Sequence, residues 1–273
     1  MLQTPLSPPS DGELLARFLS HSSLSPKTAP KHLLRKVVQA FSGLPYENLT
    51  KIIKQASLGS GERSRRWPAE VVTDHLASGT GGTCFSLTAT LLYLLRSLGW
   101  RAEPILADRH YGENTHCAVV VWIEEQPHLL DPGYLIVTPV PLTDSNDATE
   151  IETGFNQLLL SPSCGEERRS LYTLQQGGLN HRLTFKIEPA DPGEFLKAWD
   201  ASFDWDMMQY PLLTRIRGHE QLYLRDNRLQ IRSHDSLQRQ EIAPDLLINQ
   251  ISSEFNLDAS IVTQALLILK TVR

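Results

Sequence analysis

The chain has 273 residues, of which 41% are hydrophobic and 21% charged, and its formal net charge is −5. This size and composition are those of an ordinary globular protein with one large domain or two to three lobes that share a core. The acidic balance argues against binding to nucleic acid or to acidic membranes, because both need a basic surface.

The sequence shows no targeting or redox motif. The first residues carry neither a cationic start nor an apolar stretch of signal-peptide length, and no apolar run is long enough to span a bilayer. Three cysteines without a Cys-x-x-Cys pair suggest neither a disulfide framework nor a metal site. We therefore expect a cytoplasmic protein with reduced thiols and no bound metal.

The first part of the chain is predicted to be helical. Residues 1–12 contain several prolines and read as a flexible tail, and residues 13–99 are predicted to form a helical lobe. Apolar residues at helical spacing predict five helices: Glu13–Leu19, Pro30–Phe41, Leu49–Gln55, Ala69–Ala77 and Cys84–Leu98. The last of these is the strongest, because it is rich in Leu and Ala and stops at Gly99.

After Gly99 the hydrophobic period changes to that of strands. The predicted strands are Arg101–Asp108, His116–Ile123, His128–Asp131, Leu183–Ile187, Gln221–Leu224 and Arg228–Arg232. Three consecutive valines, 119–121, predict a strand that is buried on both faces. No single pattern covers Thr138–Arg169.

Two helices are predicted to close the chain, Asp245–Phe255 and Asp258–Lys270, the second with Asp258 as its N-cap. The order is helices, then strands, then a mixed C-terminal region. That order favours an α+β fold over a wound parallel sheet.

Cys84 is the first candidate for a chemical role, because it follows Gly81-Gly82 and opens the strongest helix. A thiol at a helix N-terminus lies near unpaired backbone N–H groups and the positive end of the helix dipole, which favour the thiolate. Taken alone, a buried and inert cysteine is the common alternative.

A cysteine nucleophile needs a base within hydrogen-bond reach and a third group that orients the base. His116 begins one predicted strand and Asp131 ends the next, so antiparallel pairing would bring them side by side. Singly, His116 could be a strand-end histidine and Asp131 a turn-former. The ordered trio of Cys84, His116 and Asp131 favours nucleophilic catalysis.

Four short motifs resemble the arylamine N-acetyltransferase family over roughly residues 30–140. Leu-Pro-Tyr-Glu-Asn-Leu at 44–49 is similar to the family's Pro-Phe-Glu-Asn-Leu. Gly-Gly-Thr-Cys-Phe at 81–85 is similar to its Arg-Gly-Gly-Tyr-Cys-Phe-Glu. Thr-His at 115–116 and Leu-Leu-Asp-Pro-Gly at 129–133 follow in the family's order.

The resemblance implies a fold and a reaction. The expected fold is a helical lobe (13–99), a central β-barrel lobe (100–189) and a C-terminal α/β lid (190–273), with a transglutaminase-like catalytic core. Cys84 would be the nucleophile, His116 the base and Asp131 the orienting carboxylate. The acyl donor would be acetyl-coenzyme A, used in a ping-pong cycle. The acceptor would be an arylamine or a hydrazine.

Where the family has Arg, Tyr and Glu around its cysteine, this chain has Thr80, Thr83 and Ser86, and Thr80 cannot replace a guanidinium. Two alternatives therefore stay open. The first is a transglutaminase-like hydrolase or amide-forming enzyme with another acyl donor. The second is a catalytically inactive binding protein on the same fold.

Other residues have weaker functional interpretations. Cys117 should point to the opposite face of its strand from His116 and belong to the core, and Cys164 reads as a loop thiol. The basic segment with Arg63, Arg65 and Arg66 could meet coenzyme A phosphates, although an exposed basic loop is usually only solvated. Three aromatic residues, Trp199, Phe203 and Trp205, are interpreted as packing residues.

Overall fold

The computed structural model describes residues 3–143, 147–163, 167–175 and 178–272, and within them the chain forms eight α-helices and thirteen β-strands. The N-terminal part comprises α1 (Glu13–His21), α2 (Pro30–Phe41), β1 (Tyr46–Glu47), α3 (Leu49–Leu58), α4 (Pro68–Ser78) and α5 (Cys84–Ser97). Eight strands follow: β2 (Ala102–Arg109), β3 (Gly112–Ile123), β4 (Gln126–Asp131), β5 (Ile136–Pro141), β6 (Thr149–Glu152), β7 (Gln157–Pro162), β8 (Arg168–Gln175) and β9 (Gly178–Lys186). The C-terminal part comprises α6 (Pro192–Ala201), β10 (Leu212–Arg217), β11 (Glu220–Arg225), β12 (Arg228–Arg232), β13 (Leu237–Glu241), α7 (Leu247–Phe255) and α8 (Ala259–Val272).

The helix α5 is the centre of the N-terminal lobe. Every residue from Cys84 to Leu92 is buried, because α1, α2 and α4 pack on one side of the helix and strands β2 and β3 on the other. A helix that is apolar all round must be covered in this way. The predicted bounds of α2 and the predicted start of α5 are confirmed, and Gly99 follows α5 with a φ of 84°.

Strands β2 to β9 form one barrel-like antiparallel sheet in the order β5-β4-β3-β2-β9-β8-β7-β6. The predicted valine strand lies in its middle as part of β3 and is buried on both faces, as expected. Val119 and Val121 pack against α5, whereas Val120 belongs to a second cluster with residues such as Leu129 and Phe185. Because β3 pairs with both β2 and β4, its position relative to α5 fixes the geometry of the site described below.

A second sheet has the order β1-β10-β11-β12-β13 and packs against α7 and α8. Its first strand comes from the N-terminal lobe, since Tyr46 pairs with Thr214 on β10. Asn48 secures this junction: its side-chain amide donates to the Met207 and Tyr210 carbonyls at 2.6 and 2.8 Å, and its side-chain oxygen accepts from the Leu212 N–H at 2.9 Å. The segment at 44–49 therefore joins the two ends of the chain.

Several elements were not predicted from the sequence. Strands β5, β6 and β7 lie within or beside the segment that no single pattern covers, and β10, β13 and α6 had no prediction. Helix α6 begins with Pro192 after Asp191, whose side chain accepts the Glu194 N–H at 3.0 Å. Proline is compatible with the first position of a helix, so the turn-like Asp-Pro-Gly sequence starts α6.

The aromatic residues in and just after α6 pack as predicted. Trp199 and Phe203 are buried, and the half-buried Trp205 lies beside Phe85, with ring centroids 6.1 Å apart. Cys164 lies outside the described residues. At the other end of the C-terminal part, the Asp258 side chain accepts the Ser260 N–H at 2.7 Å at the start of α8, which fits the predicted N-cap.

The predicted α+β class is confirmed: helices lie at both ends of a nearly closed, barrel-like sheet of eight strands. Among the described residues, no helix is both long and apolar enough to cross a membrane.

Candidate active site

The start of α5 is held against the segment before α3 by close backbone contacts. The Gly82 N–H donates to the Pro45 carbonyl at 3.3 Å, and the Gly82 carbonyl accepts from the Glu47 N–H at 3.0 Å. A Cβ atom at Gly81 would lie 1.8 Å from the Pro45 carbonyl oxygen. No side chain fits there, so this glycine is required by the close approach of two backbones. The motifs at 44–49 and 81–85 thus form one structural unit.

A buried network of charged side chains, centred on Glu47 and Arg66, stabilises this unit. The Glu47 carboxylate is fully buried and accepts the Thr50 N–H at 2.9 Å and the Gly81 N–H at 3.3 Å. Arg66 lies 3.6 Å from the Glu47 carboxylate, binds Asp74 at 2.6 Å and donates to the Gly81 carbonyl. Arg66 therefore places a guanidinium against the loop that precedes Cys84, although position 80 is a threonine.

This network corrects the interpretation of the basic segment. Arg63 is exposed, but Arg65 and Arg66 are buried. Arg65 forms a two-pronged ion pair with Asp200, with distances of 2.7 and 2.6 Å. The segment is not an exposed basic loop, and two of its three guanidinium groups already bind carboxylates within the fold. The interpretation as a site for coenzyme A phosphates is wrong for Arg65 and Arg66.

The fold brings Cys84, His116 and Asp131 together. The His116 Nε2 atom lies 2.6 Å from Asp131 Oδ2, and both residues are fully buried. The other carboxylate oxygen, Asp131 Oδ1, accepts the Tyr134 N–H at 2.8 Å. A Cβ atom at Gly133 would lie 3.0 Å from His116 Cε1 and 3.1 Å from Cys84 Cβ. The three predicted residues therefore surround Gly133 as neighbours.

Electrostatics favour a charged pair at this position. Burial alone would lower the pKa of His116, but the charge of Asp131 and hydrogen bonds to Asp131 and Cys84 raise it to about 9. Hydrogen bonds from Cys117 and His116, together with the imidazolium charge, outweigh burial and hold the pKa of Cys84 well below its ordinary value. The arrangement therefore favours a thiolate beside an imidazolium at neutral pH.

Cys117 contributes more than the sequence pattern indicated. It lies in the core against α5, as predicted, with its Sγ atom 3.4 Å from Thr88 Oγ1. Burial and the adjacent Cys84 raise the pKa of Cys117, so Cys117 stays a thiol beside Cys84, and its Sγ–H donates to Thr88 Oγ1. The alternation of β3 predicts the core position, but only the packing of α5 on β3 creates the contact between the two sulfurs.

Arg109 is a second residue that the sequence pattern missed. Its Nη2 atom lies 3.2 Å from His116 Nδ1, and its Nη1 atom donates to the Tyr111 hydroxyl at 3.1 Å. The pairing of Ala107 with His116 places Arg109 at the end of β2, close to the imidazole. Because the β2–β3 register shifts between Ala107 and Arg109, regular strand pairing alone would not have identified it.

A cavity of about 290 Å³ lies between the barrel-like sheet and the five-stranded sheet. Gly133 and Arg109 form the part of its wall that contacts the Cys84–His116–Asp131 cluster. The charged and aromatic side chains in its lining are Arg109, Arg182, Arg232, Tyr46, Tyr134 and Tyr223. None of the described residues in the lining carries a carboxylate. Across the described ranges, no cluster of three or more His, Cys, Asp or Glu side chains could hold a metal ion.

Comparison with known proteins gives the same fold. The arylamine N-acetyltransferase from Mycobacterium abscessus is 18% identical, with a TM-score of 0.76 over 97% of this chain and 99% of that one. The Mycobacterium marinum arylamine N-acetyltransferase in complex with CoA is 14% identical, with a TM-score of 0.79 over 94% and 99%. The Bacillus cereus arylamine N-acetyltransferase, described with a unique Cys-His-Glu catalytic triad, is 16% identical, with a TM-score of 0.70 over 90% and 98%.

Sequence comparison defines the class of protein. A family model described as N-acetyltransferase matches residues 32–263, whereas no curated protein sequence gives a significant match. The match covers most of the chain and shows that the protein is an acyltransferase of the N-acetyltransferase class. The chain belongs to the arylamine N-acetyltransferase family, as a member with low identity to the solved structures. The resemblance of the four sequence motifs to this family is thereby confirmed.

Proposed function

We propose that the protein transfers an acetyl group from acetyl-coenzyme A to an amine, through a thioester on Cys84. The main support for this proposal is the buried cluster of Cys84, His116 and Asp131 beside a cavity, in which the pKa of the thiol is lowered and that of the imidazole is raised. The family match supports acetyl transfer. The complex of the Mycobacterium marinum protein with CoA supports coenzyme A as the carrier of the acyl group.

In the first half-reaction, the Cys84 thiolate attacks the thioester carbonyl of acetyl-coenzyme A. A carbon–sulfur bond forms to Cys84, and the bond to the coenzyme sulfur breaks. The leaving coenzyme thiolate takes a proton from the His116 imidazolium, which becomes neutral. Asp131 holds the imidazole through the 2.6 Å contact to Nε2, so that Nδ1 stays free of the carboxylate.

In the second half-reaction, an amine attacks the thioester carbonyl on Cys84. The neutral His116 imidazole accepts the proton that the amine nitrogen loses, and the bond to the Cys84 sulfur breaks. The amide leaves, and the thiolate–imidazolium pair is restored. The tyrosines in the cavity lining, Tyr46, Tyr134 and Tyr223, provide flat surfaces suited to an aromatic amine or a hydrazine.

The departures at Thr80, Thr83 and Ser86 are consistent with retained chemistry. Arg66 supplies a guanidinium to the loop that precedes Cys84, and the Ser86 hydroxyl donates to the Thr83 carbonyl at 3.1 Å. These contacts keep the loop before Cys84 ordered, which supports an active enzyme over the inactive binding protein. They do not separate acetyl transfer from the transglutaminase-like alternative, which uses the same three residues.

The test is intact-mass spectrometry of the protein after incubation with acetyl-coenzyme A. We expect one acetyl adduct, located by peptide mapping on Cys84 rather than Cys117, and no adduct in Cys84→Ala. Addition of an aromatic amine should remove the adduct and yield the amide. An absent adduct, or an equal adduct in Cys84→Ala, would overturn the proposal. Faster acylation by long or carrier-bound acyl thioesters would favour the transglutaminase-like reading.

A further inference from the structure

The proposed reaction requires His116 to change its charge between the two half-reactions. In the free enzyme, burial lowers the pKa of His116, but the charge of Asp131 and hydrogen bonds to Asp131 and Cys84 raise it to about 9. Acetylation removes the charge of Cys84, whereas the Asp131 carboxylate, 2.6 Å from Nε2, still favours the imidazolium. A protonated imidazole cannot accept the proton that the amine loses. A second positive charge beside the imidazole would favour release of the proton once the thioester has formed.

Arg109 provides such a charge from the end of β2. Its Nη2 atom lies 3.2 Å from His116 Nδ1, and its Nη1 atom donates to the Tyr111 hydroxyl at 3.1 Å. Among the described residues no carboxylate pairs with Arg109, and the adjacent Asp108 pairs with Arg168 instead, at 3.1 Å. The buried Nε atom of Arg109 has no hydrogen-bond partner in the same part of the chain. The guanidinium charge therefore acts on the site without being neutralised by the fold.

The contact between Arg109 and His116 depends on the protonation state of the imidazole. A guanidinium group only donates hydrogen bonds, so Arg109 binds Nδ1 only when this atom carries no proton. When Nδ1 is protonated, two positive groups face each other across 3.2 Å. Asp131 compensates one of these charges, and the Cys84 thiolate compensates the other through its attraction to Arg109. Acetylation removes the thiolate, and the neutral imidazole then becomes the favoured state.

The charges that act most strongly on His116 come from three elements. Cys84 lies at the start of α5, Asp131 at the end of β4 and Arg109 at the end of β2. Another side of the imidazole faces Phe185 on β9, whose uncharged ring has its centroid 6.4 Å away. Of these groups, only Cys84 changes its charge on acetylation. The imidazole then has one negative and one positive neighbour in place of two negative neighbours and one positive neighbour.

We propose that Arg109 is a positioning residue for the proton of His116: it stabilises the thiolate before acetylation and the neutral imidazole after it. This inference deepens the proposed acetyl transfer and rests on it. In the first half-reaction the proton passes from Nδ1 to the leaving coenzyme thiolate, and Arg109 then donates to the free Nδ1. In the second half-reaction the amine replaces Arg109 at Nδ1 and delivers its own proton there, while the bond to the Cys84 sulfur breaks.

The experiment measures the transfer of the acetyl group from Cys84 to aniline, in a single turnover, as a function of pH. The acetyl group is loaded with 4-nitrophenyl acetate, so that the test does not need acetyl-coenzyme A. Arg109→Gln should move the midpoint of the acid limb upward by about one pH unit or more, because the imidazole then holds its proton more tightly. Arg109→Lys retains the charge and should return the midpoint most of the way. The titration of aniline itself is the same for every variant.

Arg101→Gln is the matched control for the loss of one positive charge. Arg101 directly precedes β2, and its guanidinium lies 4.0 Å from the centroid of the Trp122 ring. The pH profile of this variant should equal that of the wild type. An unchanged midpoint in Arg109→Gln overturns the proposal. It is also overturned if the midpoint of Arg109→Lys moves as far as that of Arg109→Gln, because a purely structural role would give this result.

A titration of His116 by NMR separates failure of this proposal from failure of the proposed function. Cys84→Ser has no charge at position 84, like the acetylated enzyme, and the titration needs no turnover. We expect the pKa of His116 in this variant to lie below the wild-type value, and the addition of Arg109→Gln to raise it by about one pH unit or more. Equal values in the single and double variants overturn the proposal. If the pKa changes as expected but acetyl-coenzyme A yields no adduct, the proposed function fails and the role of Arg109 stands.

Discussion

The charge state of Cys84 and His116 can be read from the pH dependence of Cys84 alkylation. In the wild type, the pKa of Cys84 lies well below its ordinary value and that of His116 is about 9. The thiolate fraction should therefore be constant between pH 6 and pH 8. In His116→Gln the imidazolium is lost, and the thiol pKa should rise towards the free-cysteine value of about 8.5, because burial then opposes only the hydrogen bond from Cys117 and the charge of Arg109.

The expected change follows from this thiol pKa. A thiol with a pKa of about 8.5 is roughly 0.3% ionised at pH 6 and about one quarter ionised at pH 8. The alkylation rate of His116→Gln should therefore rise steeply across this interval, by up to roughly 75-fold if the thiol pKa reaches the free value. The wild-type rate should change less than about twofold. The ratio of rates within one protein is the useful quantity, since a thiolate of higher pKa is intrinsically more nucleophilic and absolute rates would mix the two effects.

The assay is iodoacetamide labelling with quantification of the Cys84 peptide, which keeps Cys117 and Cys164 out of the signal. His128→Gln is the control, because among the residues that the structure describes the His128 ring bonds only its neighbouring Gln126 carbonyl, at 2.9 Å. This variant should reproduce the flat wild-type profile. A wild-type rate that rises about tenfold with each pH unit from 6 to 8 would refute the thiolate–imidazolium pair.

Two other predictions concern stability, measured as the free energy of unfolding in urea. Arg66→Met leaves the buried Glu47 carboxylate without its guanidinium and should lower the free energy of unfolding by about 3 to 5 kcal/mol. Arg65→Met should lower it clearly less, because the partner of Arg65, Asp200, is partly exposed. Equal losses in the two variants would contradict the assigned network. Lys51 is buried, and its burial lowers its pKa from 10.5 to about 7. Between these values only the unfolded chain holds the proton, so the wild type should gain stability over Lys51→Met by roughly 2 to 3 kcal/mol from pH 7 to pH 9. A constant difference would show that Lys51 is not perturbed.

The parts of the fold that the sequence predicts are those with strong local signals. Helix α2 has a complete apolar stripe, α5 ends near a glycine, and the valine run at 119–121 needs no partner to be identified as buried. Strand β1 has no such signal. It contains only two residues, Tyr46 and Glu47, and exists because they pair with β10 more than 160 positions away. Strands β5 to β7 are short and half-exposed, so their patterns resemble those of loops.

The same contrast applies to the site. Cys84 opens α5 and Asp131 ends β4, whereas His116 lies inside β3 and not at its start as predicted. All three come from one stretch of the chain, where local order suggests their proximity. Arg66, Arg109, Arg182 and Arg232 have no local signature, because their positions depend on helix packing, on strand register and on the approach of two sheets. Long-range geometry of this kind cannot be derived from one sequence by its hydrophobic period.

The two parts of the site are therefore built by different regions of the chain. The proposed catalytic residues lie between 84 and 131, and the loop before Cys84 is fixed by Glu47 and Arg66. The far wall of the cavity comes from β9 to β12. A substitution on β9 or β12 can thus change the charge of the cavity without moving the Cys84–His116 pair. This division explains how a member with so little sequence identity to its solved relatives can keep the Cys84–His116–Asp131 cluster while the far wall of its cavity is free to vary.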